Sequence, residues 1–120
     1  MPHFLTQWTY KDEEVRQMVI HPQNREEVVR LAVEALGGSL HGFYFCLGEY
    51  DGACITEFPD KETAMACLML VMGHSAARTL RTTPLLTQDE AQVAMQKANE
   101  VFDRTPYEPP SRTRTQEASA

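Results

Sequence analysis

The strongest constraint on the fold is the order in which hydrophobic periodicity changes along the chain. Residues 3–10, HFLTQWTY, alternate as a strand. Phe4, Thr6, Trp8 and Tyr10 fall on one face, and His3, Leu5, Gln7 and Thr9 on the other. KDEEVRQMVI then turns polar and helical, with acidic residues in the first turn where the helix dipole favours them. Pro22 disfavours helical geometry at His21, so the helix breaks or kinks there. It resumes as NREEVVRLAVEAL, with Val28, Val29, Ala32, Ala35 and Leu36 as its apolar face. Glu26, Arg30 and Glu34 follow at i, i+4 on the wet side. Gly37 and Gly38 stop this helix, because glycine readily takes the left-handed conformation of a C-cap.

SLHGFYFCL and GACITEF are strand-like, and the GEYDG between them reads as the turn of a hairpin. Pro59 and Asp60 end the second of these strands and start a helix. That helix, KETAMACLMLVM, is apolar nearly all round and needs cover on more than one side. AARTLRTTPLL is a fourth strand, with Pro84 marking its end or an edge position. Thr87 and Glu90 form a T-x-x-E capping box that opens a final helix with Ala91, Ala94, Met95, Ala98, Val101 and Phe102 as its apolar face.

The order is β-α-β-β-α-β plus a C-terminal helix, the ferredoxin-like α+β pattern, in which a four-stranded antiparallel sheet carries helices on one face. The first two strands bear aromatic and apolar residues on both faces, so both need cover. A second copy of the same sheet would supply it, which makes a homodimer or higher oligomer the expected state. Residues 1–102 form the domain, and 103–120, proline-rich and without apolar periodicity, read as a flexible tail.

A length of 120 residues fits one domain. The formal charge of -6, without a dense basic stripe, argues against nucleic acid and anionic membrane surfaces as partners. The longest apolar run, AMACLMLVM, is too short to span a bilayer, and MPHFLTQWTY lacks the pattern of a secretory signal, so a cytosolic location is expected. Three cysteines without a C-x-x-C pair suit a reducing compartment. The four histidines are dispersed and show neither H-x-x-x-H nor H-E-x-x-H spacing, so the sequence supports no metal site. Nucleotide-binding glycine motifs and the G-x-S-x-G of serine hydrolases are absent, and no cofactor is expected.

FYFCLGEYDG, preceded by EALGGSLHG and followed by EFPD, resembles the GYD-domain family of small bacterial proteins, whose signature is matched by Gly48, Tyr50 and Asp51. FLTQWTY, NREE with its Arg25, and RTLRTTPLLTQDEA resemble other ordered segments of that family, and the likeness runs over residues 2–98. It implies a ferredoxin-like fold akin to dimeric α+β barrel proteins, and no general activity.

GEYDG reads first as a structural turn. Gly48 and Gly52 permit unusual backbone angles. Asp51 fixes the turn by bonding neighbouring backbone. Tyr50 lays its ring on the sheet end while its hydroxyl reaches a polar partner. The alternative is a ligand site built from Trp8, His41, Tyr44, Tyr50 and Asp51. By strict alternation His41 shares a face with Phe43 and Phe45. Arg78 and Arg81 suit either an anionic ligand or an edge strand guarded against wrong pairing. Met65, Met69 and Met72, at i, i+4, i+7, suit either core or an adaptable interface.

The leading functional expectation is an oligomeric domain that binds a small, largely apolar molecule or a protein partner. A cofactor-free isomerase or monooxygenase-like enzyme, working in the cleft between sheet and helices, is the second. A structural assembly subunit is the third. An apolar cavity with a convergent polar group separates the first two from the third, and a histidine or carboxylate within its reach separates enzyme from binder.

Overall fold

A computed structural model describes residues 1–74 and 76–104. Its elements are β1 (His3–Tyr10), α1 (Asp12–Ile20), α2 (Arg25–Ala35), β2 (Ser39–Phe45), β3 (Gly52–Glu57), α3 (Lys61–Gly73), β4 (Ala77–Leu85) and α4 (Gln88–Phe102). They fall into two compact units, Met1–Leu86 and a second beginning at Thr87. Among the described residues no helix is long and apolar enough to cross a membrane. The proline-rich stretch from residue 105, expected to be a flexible tail, lies outside the described residues.

In the first unit the strands form one antiparallel sheet in the order β2-β3-β1-β4. This is the ferredoxin-like arrangement, with its first helix split in two at Pro22. The local signals act where the chain needs them. Asn24 caps α2 by accepting a hydrogen bond from the Glu27 amide, and Asp60 caps α3 by accepting from Thr63. Gly37 ends α2 with φ at 79°, the left-handed conformation that glycine adopts without a Cβ penalty. Pro84 sits on β4, an edge strand, where a missing N–H costs the sheet little.

The two faces of the sheet differ sharply. Phe4, Thr6, Trp8 and Tyr10 of β1 are buried, and in register across β3 they meet Thr56, Cys54 and Gly52. Over this face pack α2 and α3. Phe4, Phe58 and the fully buried Val33 cluster with Ala64 and Cys67, and a second cluster joins Trp8, Tyr10, Leu40, Cys54 and Ala77. The opposite face presents His3, Leu5, Gln7 and Thr9 beside Ala53, Ile55 and Glu57.

Two expectations change. His41 does not share a face with Phe43 and Phe45. A bulge between Leu40 and Gly42 shifts the β2 register, so the rings of Phe43 and Phe45 turn to Trp8 and Tyr10 on the helix side while His41 meets Glu57 on the other. Gly48 and Gly52 do not adopt left-handed angles. Gly52 serves a close approach instead: a Cβ there would lie 2.4 Å from the Trp8 indole. Within this chain α3 is covered on one side. Ala64 and Cys67 are buried, whereas Met65, Met69 and Met72 are 53%, 66% and 49% exposed.

The second unit contains α4, opened by the capping box expected from sequence, with Thr87 bonding the Glu90 amide and Glu90 bonding back to the Thr87 amide. Met95, Val101 and Phe102 of its apolar face are exposed.

Candidate functional site

Between the sheet and the helices of the first unit the packing leaves a cavity of about 90 Å³. It exists because β1 and β3 carry small or slender residues, Thr6, Cys54 and Thr56, between the bulky Phe4 and Trp8. The walls are overwhelmingly apolar, with Phe4, Trp8, Val33, Phe58, Leu68 and Val71 among the residues that line them. Two polar features interrupt this surface. The first is a set of threonine hydroxyls, of which Thr6 and Thr82 bond to one another across β1 and β4 at 3.1 Å. The second is Arg25, the one charged residue among the described residues that line the cavity.

Arg25 is held in place from several sides. Its guanidinium lies 5.4 Å from the centre of the Tyr10 ring, a cation–π arrangement. Its Nη1 donates to Glu14 Oε1 at 3.0 Å and to Gln23 Oε1 at 3.3 Å. With 17% of its side chain exposed, it spans from the cavity lining to solvent. As the first residue of α2, it is brought there by the same break at Pro22 that separates α1 from α2. Nothing in the sequence spacing distinguished Arg25 from the other surface arginines. Only the return of α2 over Tyr10 makes it part of the cavity.

Both cavity thiols are electrostatically quiet. Burial pushes the Cys54 thiol up to about 12, with the neighbouring Cys67 adding to the effect, and burial also raises Cys67. A thiol so raised is protonated at neutral pH and is a poor nucleophile.

The five residues singled out from the sequence do not converge. Trp8 lies in the cavity wall. Asp51 stands just beyond it. Its Oδ2 accepts from the Tyr10 amide at 2.9 Å, its own amide donates to the Trp8 carbonyl at 2.8 Å, and its carbonyl accepts from the Cys46 amide. The side chain therefore fastens the hairpin to the end of β1, a contact between residues distant in sequence, where a purely local turn bond was expected. The Tyr50 hydroxyl accepts a long 3.4 Å hydrogen bond from Arg81, and this bond raises the guanidinium's already high pKa. Arg78 pairs instead with Asp12 at 2.9 Å. Tyr44 is 62% exposed, and its ring folds back over Gly42. His41 Nε2 lies 2.8 Å from Glu57 Oε1, and this hydrogen bond, with smaller effects from the charges of His3 and His41, holds the Glu57 carboxyl below its ordinary range.

GYD, then, describes three residues with separate roles: a glycine in open space, a tyrosine reaching a strand-four arginine, and an aspartate binding β1. The chain matches no curated protein. The family model for the GYD domain matches residues 4–95, from the first inward aromatic of β1 into α4. That match takes in all of the sheet but His3, the cavity and the GEYDG hairpin, and the chain belongs to the GYD domain family.

Proposed function

We propose that this domain binds a small, largely apolar molecule in the cavity between the sheet and α2–α3, and does so as a homo-oligomer. The observation that carries the reading is the cavity itself: an apolar space with Arg25 as the single charged residue among the described residues that line it. Aromatic and aliphatic walls with few polar groups are the usual composition of small-molecule sites. At about 90 Å³ it holds a ligand of only a few heavy atoms unless side chains yield. An acceptor group on that ligand would meet Arg25 or a threonine hydroxyl. Binding is favoured over turnover, because the described lining residues include no histidine or carboxylate and both thiols stay protonated at neutral pH.

Native mass spectrometry of protein from its own host, together with xenon titration followed by NMR, tests this reading. Val71→Phe, which fills the cavity from α3, is expected to abolish both the retained mass and the xenon-induced shifts while preserving the fold. A parent protein that retains no molecule and shows no xenon response inside the cavity would refute it.

The oligomer rests on a separate observation, the exposed stripe of Met65, Met69 and Met72 along α3. Three unbranched, polarizable side chains in one row suit an interface that adapts to a partner surface, and leaving them in water forgoes roughly 25 cal/mol for each Å² of apolar area. Sedimentation equilibrium at micromolar concentration is expected to give a dimer or larger species, weakened when Met69 is changed to Glu. A monomer at every concentration would end the oligomer reading without touching the cavity.

A further inference from the structure

On the face of the sheet away from the cavity, three strands bring together side chains that the sequence keeps far apart. His3 opens β1, His41 rides on the β2 bulge, and Glu57 closes β3. His3 and Glu57 are register partners. Glu57 Oε1 lies 2.8 Å from His41 Nε2 and 3.7 Å from His3 Nε2, and one donor atom from each residue lies within 4.8 Å of the others. The two imidazoles stack with their centres 5.5 Å apart and their planes 20° from parallel.

We propose that His3, His41 and Glu57 form a binding site for a divalent transition ion, zinc foremost. The geometry fits the ion's needs. Donors at 2.0–2.2 Å from a tetrahedral ion stand roughly 3.3–3.6 Å apart, and the two separations from Glu57 bracket that spacing. His41 is exposed and His3 half-buried, which leaves their rings room to adjust. Two neutral imidazoles with one carboxylate are a borderline donor set. They suit zinc and its neighbours better than magnesium or calcium, which prefer all-oxygen shells, or copper(I), which prefers sulfur. Three protein ligands leave a fourth position open to water or an anionic group.

A second feature separates this cluster from an ordinary surface ion pair: a His41–Glu57 pair alone would need no second imidazole stacked beside it. The site is also reachable, since the His41 side chain is 46% exposed and those of His3 and Glu57 are 29% and 23% exposed. His41 stands at the β2 bulge, between Leu40 and Phe43, which both face the helices, and it takes the opposite face.

The test is calorimetric titration of the full, chelator-treated chain with zinc chloride alone, repeated with His41→Ala, Glu57→Gln and His3→Gln. Circular dichroism confirms that each variant is folded. The expected result is one ion bound per chain, a higher melting temperature with zinc, and a loss of affinity of about tenfold or more for each removed ligand. His74→Ala, at the C-terminal end of α3, is expected to bind as the parent does. No zinc binding by the parent, or binding unchanged in all three ligand variants, would overturn the proposal. Three ligand variants guard against one that fails to fold.

Discussion

Gly52→Ala is expected to destabilise the protein by about 3 kcal/mol, the upper end for overpacking a well-filled site. The added methyl would meet the Trp8 indole at 2.4 Å, where no side chain can sit without displacement. Trp8 cannot easily yield. It is buried, its ring packs edge-on to Tyr10 and tilted against Phe43, and its carbonyl is held by Asp51. The diagnostic result lies in the double variant. Trp8→Ala alone is expected to cost about 3–5 kcal/mol through the hole it leaves. Adding Gly52→Ala to that background should cost little more, because the obstructing ring is gone. The coupling would then be close to the whole cost of the glycine change, near the upper limit seen for residues in contact. Urea unfolding at fixed protein concentration measures all four corners of the cycle. Additive costs would show that Gly52 is needed for some reason other than Trp8.

Alkylation of the native protein at pH 8 is expected to stop at one adduct, on Cys46. Cys46 is partly exposed at the start of the hairpin turn, whereas Cys54 and Cys67 are buried against the cavity. With its pKa near 12, Cys54 presents about a thousandfold less thiolate than a thiol at 9.0, and the thiolate is the reacting species. Burial slows it further by excluding the reagent. Intact-mass measurement during iodoacetamide treatment at pH 8 should therefore show one fast step, with the other two adducts following far more slowly until urea is added. Because Cys54 ionises so far above neutrality, its labelling rate should climb about tenfold per pH unit through pH 8 to 10. A second adduct forming as fast as the first would mean that the cavity opens readily, and the protected position of Cys54 and Cys67 against it would have to be abandoned.

Most of the fold was legible because its signals are local. Pro22 splitting the first helix, Gly37 ending it, Asp60 capping α3 and the Thr87–Glu90 box each act within a few residues of where they stand. The alternation in HFLTQWTY also sorted β1 into its two faces, though not which of them the helices cover. What failed was the parity of β2, since one bulged residue reverses every assignment beyond it and leaves no mark in the composition of SLHGFYF. Gly52 was misjudged for a related reason. A turn glycine and a glycine beneath an indole look alike until the register pairs residue 52 with residue 8. The cleft between sheet and helices was foreseen as a location, yet Arg25 and the threonine row were not, because their convergence depends on three elements meeting. The same holds for His3, His41 and Glu57, whose separation along the chain hides any ligand spacing.

The position of β1 between β3 and β4 has a consequence for how the molecule is made. Of the four strands it leaves the ribosome first, yet both of its hydrogen-bonding edges wait for segments translated later. The hairpin of β2 and β3 can close on itself, but β1 must hold Phe4, Trp8 and Tyr10 exposed until residues 52–57 emerge, and one edge stays bare until residues 77–85 follow. At a synthesis rate of about 5–20 residues per second, that interval lasts several seconds. Long-range pairing of this kind folds slowly, and an unpaired aromatic strand is a template for association with a neighbouring chain. The segment most central to the finished sheet is thus the one most in need of a chaperone while the chain is being built.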